Sequence, residues 1–312
     1  MIVAEKIFVR PKTIAEAINY AKQNPGISKF VAGGTDVLVN KFQGNEPHNF
    51  LIDITGIDDL KGIRSDANNL YIGALTTLDN LKKSKEISSE FPVLLEAAHS
   101  VGTPLLRKTA TLGGNVLCEN RCLFYNQSEW WRDAVGYCLK CEGDICIATG
   151  GNKACFSECV SDTAPALISM GAQLKFIDPK GEKTIPLLSI YTGDGVKPKN
   201  ISQDALLIEI ILPRNQNFKC DFHKLRIRES LEFTSLTSVV SIDKSNKIRI
   251  TLTGVDPKPV YLEFEKTEGV EDVTKKILKL ARAVDNDMFS RNYRRDIIKV
   301  YIHESYKKLN LL

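Results

Sequence analysis

Seven of the eight cysteines in this 312-residue chain fall between positions 118 and 159: Cys118, Cys122, Cys138, Cys141, Cys146, Cys155 and Cys159. In reducing surroundings so dense a cluster of thiols points to metal or redox chemistry rather than to disulfides. Both tryptophans, Trp130 and Trp131, share the window with Leu123, Phe124 and Tyr125. Such apolar bulk is expected to keep water away from a metal centre. The gaps between the cysteines are long and irregular. Cys138 and Cys141 form a single C-x-x-C, whereas zinc ribbons favour two such pairs.

A second chemistry lies in two glycine turns, VAGGTD at 31 to 36 and TATLGGN at 109 to 115. Paired glycines admit positive φ and let a ligand approach the backbone without a β-carbon in the way. The amides they expose, with a following helix N-terminus, make a cradle for an anion. Thr35, Thr111 and Asn115 can add side-chain hydrogen bonds. Neither turn matches GxGxxG or the Walker pattern. Two such turns, each closing a strand, favour one elongated diphosphate held between them over two tight connections.

The elements that must carry these groups are legible on either side of the cysteine window. IFVRP reads as a strand, and Thr13 with Glu16 makes a capping box that opens a helix. Ile14, Ala17, Ile18 and Ala21 recur on one face of that helix, and Gly26 ends it. KFVA at 29 to 32 is a short strand, GGTD a turn, VLVNKF the start of a second helix and NFLIDI a further strand. LYIGA is a strand, followed by a helix from about Thr77 and another through PVLLEAAHS. From Val116 to about Phe156 no period of 2 or 3.6 is sustained, and regular structure resumes at SDTAPALISMGAQLKFID. A segment of that length within a compact domain signals function, and this one is too aromatic for disorder. It reads as an insertion at about 116–156.

After LLIEIILP the runs HKLRIR, TSVVSID, KIRITLTG and VYLEF alternate like strands. Helices are expected from Val273 to Val284 and from Tyr293 to Lys308. The fold class is therefore α+β, with α/β-type lobes ahead of an antiparallel sheet covered by helices. The expected division is residues 1–217, in lobes of about 1–57 and 58–217, followed by a small domain at 218–312.

Composition narrows the function further. A net charge of +4 on 312 residues gives no footing for nucleic acid. Arg291, Arg294 and Arg295 read as a solvated helix face. MIVAEKIFVRPKT lacks an apolar core of the signal-peptide kind, and no run of eighteen apolar residues occurs, so no membrane partner and a cytoplasmic location are expected. His48, His99, His223 and His303 are isolated, with no general-base or nucleophile partner in view. His223, beside Lys224, is the one nearest a proposed site.

VAGGTDVLV, YIGALTT, TATLGGN, SDTAPAL and KLRIRES, in that order, resemble the FAD-binding medium subunit of the xanthine dehydrogenase and molybdenum hydroxylase family. The resemblance covers essentially the whole chain. It implies a two-lobed FAD-binding domain with a smaller C-terminal domain. By motif match, Val31, Ala32, Gly33, Gly34, Thr35 and Asp36, with Thr111, Gly113, Gly114 and Asn115, would hold the FAD diphosphate. Thr76 would lie near the flavin, and Asp162 and Lys224 would be its acidic and basic contacts.

Most relatives run directly from GGN into the segment matched here by SDTAPAL. The cysteine-rich insertion resembles that of the flavoprotein (beta) subunits of 4-hydroxybenzoyl-CoA reductases, which carries a [4Fe-4S] cluster. On that resemblance the ligands are Cys122, Cys138, Cys146 and Cys155, and a cubane does take four thiolates. The surplus thiols Cys118, Cys141 and Cys159 are expected to be free, and Cys220 to be an inert core or surface residue.

The implied function is an electron relay, with 4-hydroxybenzoyl-CoA reduced to benzoyl-CoA on a molybdenum-cofactor large subunit. Electrons would pass from ferredoxin through [4Fe-4S] and FAD to a small [2Fe-2S] subunit, in a dimer of heterotrimers. The alternatives are an FAD/[4Fe-4S] subunit of a molybdenum aldehyde or purine hydroxylase, and a zinc-stabilised binding module without redox chemistry.

Overall fold

A computed structural model describes residues 7–312. Three sheets follow one another along the chain. Strands β1 (Ile7–Val9), β2 (Ser28–Val31) and β3 (Phe50–Asp53) form a parallel sheet in the order β1-β3-β2. Helix α1 (Ile14–Gln23) crosses over between the first two strands, and α2 (Val37–Phe42) between the second and third. The expected capping box holds α1 in place: Thr13 Oγ1 accepts from the Glu16 amide at 3.1 Å, while the Glu16 carboxylate takes the Lys12 amide at 2.7 Å. Ala17 and Ala21 then face Ile52, Ile54 and Leu60 in a small core, as the helical spacing requires.

The second sheet is antiparallel, in the order β4 (Ile63–Ser65), β5 (Asn69–Gly73), β8 (Leu206–Pro213), β6 (Gln173–Asp178), β7 (Gly181–Pro186). Its inner face carries Leu70, Ile72, Leu174, Phe176, Ile210 and Leu212 into the largest core. Helices α3 (Lys85–Glu90) and α4 (Pro92–His99), with the single turns α5 (Pro104–Arg107) and α6 (Leu112–Val116), cover it. The helix expected from Thr77 begins later. Leu78 and Leu112 pair their amides with Ala110 and Thr76 across the gap, so the chain there is a ledge beside the second glycine turn. Helix α3 starts only where Ser84 Oγ accepts the Ile87 amide at 3.2 Å.

Inside the cysteine window one element departs from the expected irregularity. Ser128 caps α7 (Glu129–Val135), a helix of seven residues too short to register as a period. The window closes on itself: Arg121 and Glu158 exchange backbone hydrogen bonds at 2.9 and 2.7 Å. Asn120 Nδ2 adds bonds to the carbonyls of Ser157 and Pro257, both at 2.8 Å.

Helix α8 (Thr163–Ser169) is buried along its whole length and joins the second and third sheets. Its Ser169 hydroxyl meets Thr251 at 2.8 Å, and its last carbonyl accepts from Ser241. The third sheet is an antiparallel meander of β9 (Lys219–Leu225), β10 (Leu236–Ile242), β11 (Lys247–Thr253) and β12 (Val260–Glu265). Helices α9 (Val270–Leu280) and α10 (Arg291–Lys308) cover it, burying Val273, Ile277, Ile298, Ile302 and Tyr306 against the sheet. Among the described residues no helix is long and apolar enough to cross a membrane.

The expectation that Arg291, Arg294 and Arg295 form a solvated face fails at Arg294, which is 0% exposed. Its guanidinium lies 2.7 Å from Glu158 and donates to the carbonyls of Ser235 and Val284. This pair ties α10 to the exit of the cysteine window. Removing one partner of a buried ion pair leaves an uncompensated charge, a loss of about 3–5 kcal/mol. Arg294→Met should lower unfolding free energy by that order in chemical denaturation, and adding Glu158→Gln should recover part of it.

Candidate functional site

The site is built where the two glycine turns touch. A β-carbon at Gly33 would lie 2.0 Å from the carbonyl oxygen of Thr109, so the first turn rests directly on the backbone entering the second. Gly34 has φ +71, a left-handed conformation that carries the chain from β2 into α2. Among the described residues no acceptor meets the amides of Gly33, Gly34, Thr35 or Asp36. These are the donors an anion needs.

The second turn plays a different part from the one its sequence suggests. The Leu112 and Gly113 amides are spent on the carbonyls of Thr76 and Ala74, and the Gly114 amide on Thr111 Oγ1 at 3.0 Å. Asn115 Oδ1 accepts from Ser161 Oγ, the Thr163 amide and Thr163 Oγ1. The second turn is therefore a wall, and the first turn supplies the free donors. A β-carbon at Gly113 would come within 2.8 Å of the Ala74 carbonyl, which fixes that wall against β5. Thr76, also buried, donates to the Gly62 carbonyl at 3.0 Å.

Two cavities meet at this contact, and Gly33, Leu75 and Thr111 line both. One, about 530 Å³, is walled by Thr55, Lys61, Thr76, Lys83 and Lys108. The other, about 660 Å³, takes in Ala32, Gly34, Thr35, Asp36, Gly113, Gly114, Asn115 and Asp162. The sequence-predicted residues thus converge from three elements, except that Val31 is buried at the end of β2 and Lys224 is not among the wall residues. Lys224 Nζ instead pairs with Asp162 at 2.9 Å and donates to the carbonyls of Ser100 and Glu232. Burial pushes the Asp162 carboxyl up, while Lys224 and the Thr237 hydroxyl oppose that shift. His223 points elsewhere, to Asp221 at 2.7 Å and to the ring of Tyr301.

The larger cavity has a wall that motif reasoning missed: Glu119, Arg121, Tyr125 and Lys140, all from the cysteine window. Asp36 pairs with Arg121 and accepts the Glu119 amide at 3.0 Å, so the first turn clasps the window's entrance. Buried Arg132 reaches back to the Gln43 carbonyl. The signal available in sequence was Lys140, a cation set inside the only C-x-x-C.

The seven thiols separate into groups. Cys122 lies within electrostatic reach of Cys138 and Cys155, and Cys155 within reach of Cys146. Cys138, Cys146 and Cys155 are buried. Backbone N–H groups aim at three of the four sulfurs: Phe124 and Tyr125 at Cys122, Lys140 and Cys141 at Cys138, and Ser157 at Cys155. Such bonds stabilise thiolates and tune metal–sulfur centres. The Cys141 thiol, with those amides, holds Cys138 well below the ordinary thiol range. Burial pushes Cys122 up to about 11 and Cys155 upward too, so metal must displace their protons.

Cys118 and Cys159 neighbour one another beside Tyr191, as a separate group. Among the described residues no three His, Cys, Asp or Glu side chains converge closely enough for a single metal ion. A cubane takes one thiolate per iron, and Cys122, Cys138, Cys146 and Cys155 are four thiols of that chemical kind. Of the apolar residues expected as a shield, Tyr125 is buried, but Trp130 is 78% exposed and Leu123 is exposed too. Helix α7 turns that indole outward.

A family model described as the FAD binding domain in molybdopterin dehydrogenase matches residues 4–215. The chain belongs to that family. The aldehyde oxidoreductase FAD-binding subunit PaoB of Escherichia coli (strain K12) is 30% identical over 265 residues, 82% of this chain and 83% of the relative. The xanthine dehydrogenase FAD-binding subunit of Escherichia coli O157:H7 is 26% identical over 258 residues, 80% of this chain and 74% of the relative. In fold, the chain matches a carbon monoxide dehydrogenase from Hydrogenophaga pseudoflava that lacks the Mo-pyranopterin moiety of its cofactor. That match has a TM-score of 0.76 at 21% identity, over 98% of both chains.

This FAD-binding chain is thus an oxidoreductase subunit, and the alternative of a zinc-stabilised module without redox chemistry falls. FAD is two ring systems on a diphosphate, and the two cavities joined at the unpaired amides of the first turn fit such a group. Gly33→Ala drives a methyl into the Thr109 carbonyl, with overpacking strain of about 1–3 kcal/mol. The purified variant should lose most of its flavin absorbance and melt at lower temperature than the parent.

Proposed function

We propose that the chain is the electron-relay subunit of a molybdenum hydroxylase-type dehydrogenase. FAD is held at the amides of Gly33 to Asp36, and a [4Fe-4S] cluster by Cys122, Cys138, Cys146 and Cys155. The observation that carries this reading is the shared wall: Tyr125 and Lys140, from the segment that presents the thiols, line the cavity that opens at the first glycine turn. When bound, FAD exchanges one or two electrons and the cluster exchanges one, which makes the pair an adaptor between two-electron and one-electron partners. The protein's own part is to orient both groups, keep their diphosphate and thiolate contacts satisfied, and exclude water with Tyr125, Leu117, Val101 and Ala110.

Substrate conversion belongs to a partner, the large molybdenum subunit, with a small [2Fe-2S] subunit between them and a dimer of heterotrimers as the assembly. The 30% identity to an aldehyde oxidoreductase subunit across most of the chain supports oxidation of an aldehyde or purine. This reading replaces the reduction of 4-hydroxybenzoyl-CoA as the leading one. In the oxidising direction electrons leave through FAD and the cluster to a one-electron acceptor such as ferredoxin, and the thioester reductase would run the same relay in reverse.

Metal analysis of the purified complex should give iron, acid-labile sulfide and flavin on this chain. Changing Cys122, Cys138, Cys146 or Cys155 singly to Ser should remove most of that iron, and Cys118→Ser, Cys159→Ser and Cys220→Ser should keep it. Zinc in place of iron, or iron retained through all four changes, would sink the cluster. Aldehyde-driven reduction of a viologen or ferredoxin, set against benzoyl-CoA formation from reduced viologen, separates the two reactions.

A further inference from the structure

Lys140 occupies the short 3₁₀ turn between Cys138 and Cys141, yet its side chain is only 5% exposed. A lysine in a loop ordinarily keeps its ammonium in water. Here Nζ lies 3.4 Å from Glu119 Oε2 and 4.8 Å from the centroid of the Tyr125 ring. Lys140, Glu119 and Tyr125 all line the larger cavity. The cation is therefore tethered among the thiols on one side and turned to the flavin cavity on the other.

Glu119 does not cancel this charge. Although burial pushes its carboxyl up, Lys199, Lys140 and Lys29 outweigh that and hold it down at about 2. Lys199 also donates to the Cys118 carbonyl at 2.6 Å, so it is anchored at the same place. Lys29 is paired with Glu46 at 3.5 Å, so Lys140 and Lys199 face the single Glu119 carboxylate and leave positive charge beside the window. The Lys140 charge also acts on Cys155.

We propose that Lys140 sets the reduction potential of the cluster carried by Cys122, Cys138, Cys146 and Cys155, with Glu119 as the opposing charge. The inference rests on the cluster assignment made above. Adding one electron to a cluster makes it one unit more negative, with no bond made or broken. A desolvated cation held nearby stabilises the reduced form by Coulomb attraction that water screens little. The same cation faces the flavin cavity, so it biases where an electron rests on its way between the two.

The test is a dithionite titration of the whole complex, with the cluster followed by electron paramagnetic resonance and the flavin by absorbance. Lys140→Gln should shift the cluster's one-electron equilibrium about tenfold toward the oxidised form, ~59 mV more negative, with iron and sulfide content unchanged. Lys140→Arg should stay near the parent. Glu119→Gln should move the cluster the opposite way. An unchanged cluster midpoint in Lys140→Gln, or shifts of the same sign in Lys140→Gln and Glu119→Gln, would overturn the proposal. If Lys140→Gln loses its cluster, Glu119→Gln decides: a rise supports the proposal and no change refutes it. Absence of iron from the parent complex would instead defeat the cluster assignment, and metal analysis reports that before any titration begins.

Discussion

Backbone touches backbone at Gly33 and Thr109, and the site depends on that contact. The distance leaves no room for a side chain of any kind. Because the first turn ends a parallel strand and the second lies beside an antiparallel sheet, the contact also brings the first and second sheets together. A site assembled across two sheets needs this closeness, since the free amides of the first turn and the wall opposite them come from different parts of the chain. The glycine is thus first of all a packing requirement.

From that contact the electrostatics spread outward in a sequence of tied charges. Asp36, at the end of the first turn, holds Arg121 and the Glu119 amide. Glu119 then meets Lys140, which stands inside the cysteine loop. On the far side Glu158 leaves the loop and is caught by buried Arg294 of α10. The cysteine-bearing segment is therefore gripped at both ends, by the first lobe and by the C-terminal helix. Between these grips Arg132 fastens α7 to the loop after α2. The most buried of these ties is Glu158 with Arg294, where losing either partner leaves the other uncompensated.

The scaffold was legible in the sequence to the extent that its signals were local. VLVNKF is α2, PVLLEAAH is α4, TSVVSI lies in β10, and the last helix ends at Lys308 as expected. The errors fall where long-range contacts override local pattern. Thr77 does not open a helix because it bridges Thr111, with its neighbours Thr76 and Leu78 bonded to Leu112 and Ala110. Arg294 looked solvated because its partner lies 136 residues earlier (294 minus 158). The second glycine turn looked like an anion cradle because sequence shows which amides exist and not which are already taken. Asp162 and Lys224 were recognisable as a pair of charges near the site, but their direct bond to each other was not, since it joins α8 to the third sheet. Glu119 was invisible as a site residue for the same reason, and Lys140 showed only as a cation inside the C-x-x-C.

The closed neck of the cysteine segment has a further consequence. Arg121 and Glu158 sit side by side in a two-residue bridge, so the chain leaves the scaffold and returns to it at one point. Entropy of closing a loop grows only slowly with its length, and a detour that starts and finishes at the same doorway leaves the surrounding strands undisturbed. A lineage can therefore gain or shed such an appendage in one genetic event without relearning how to fold the rest. Whatever the segment carries then becomes a detachable trait of this architecture, free to evolve on its own schedule.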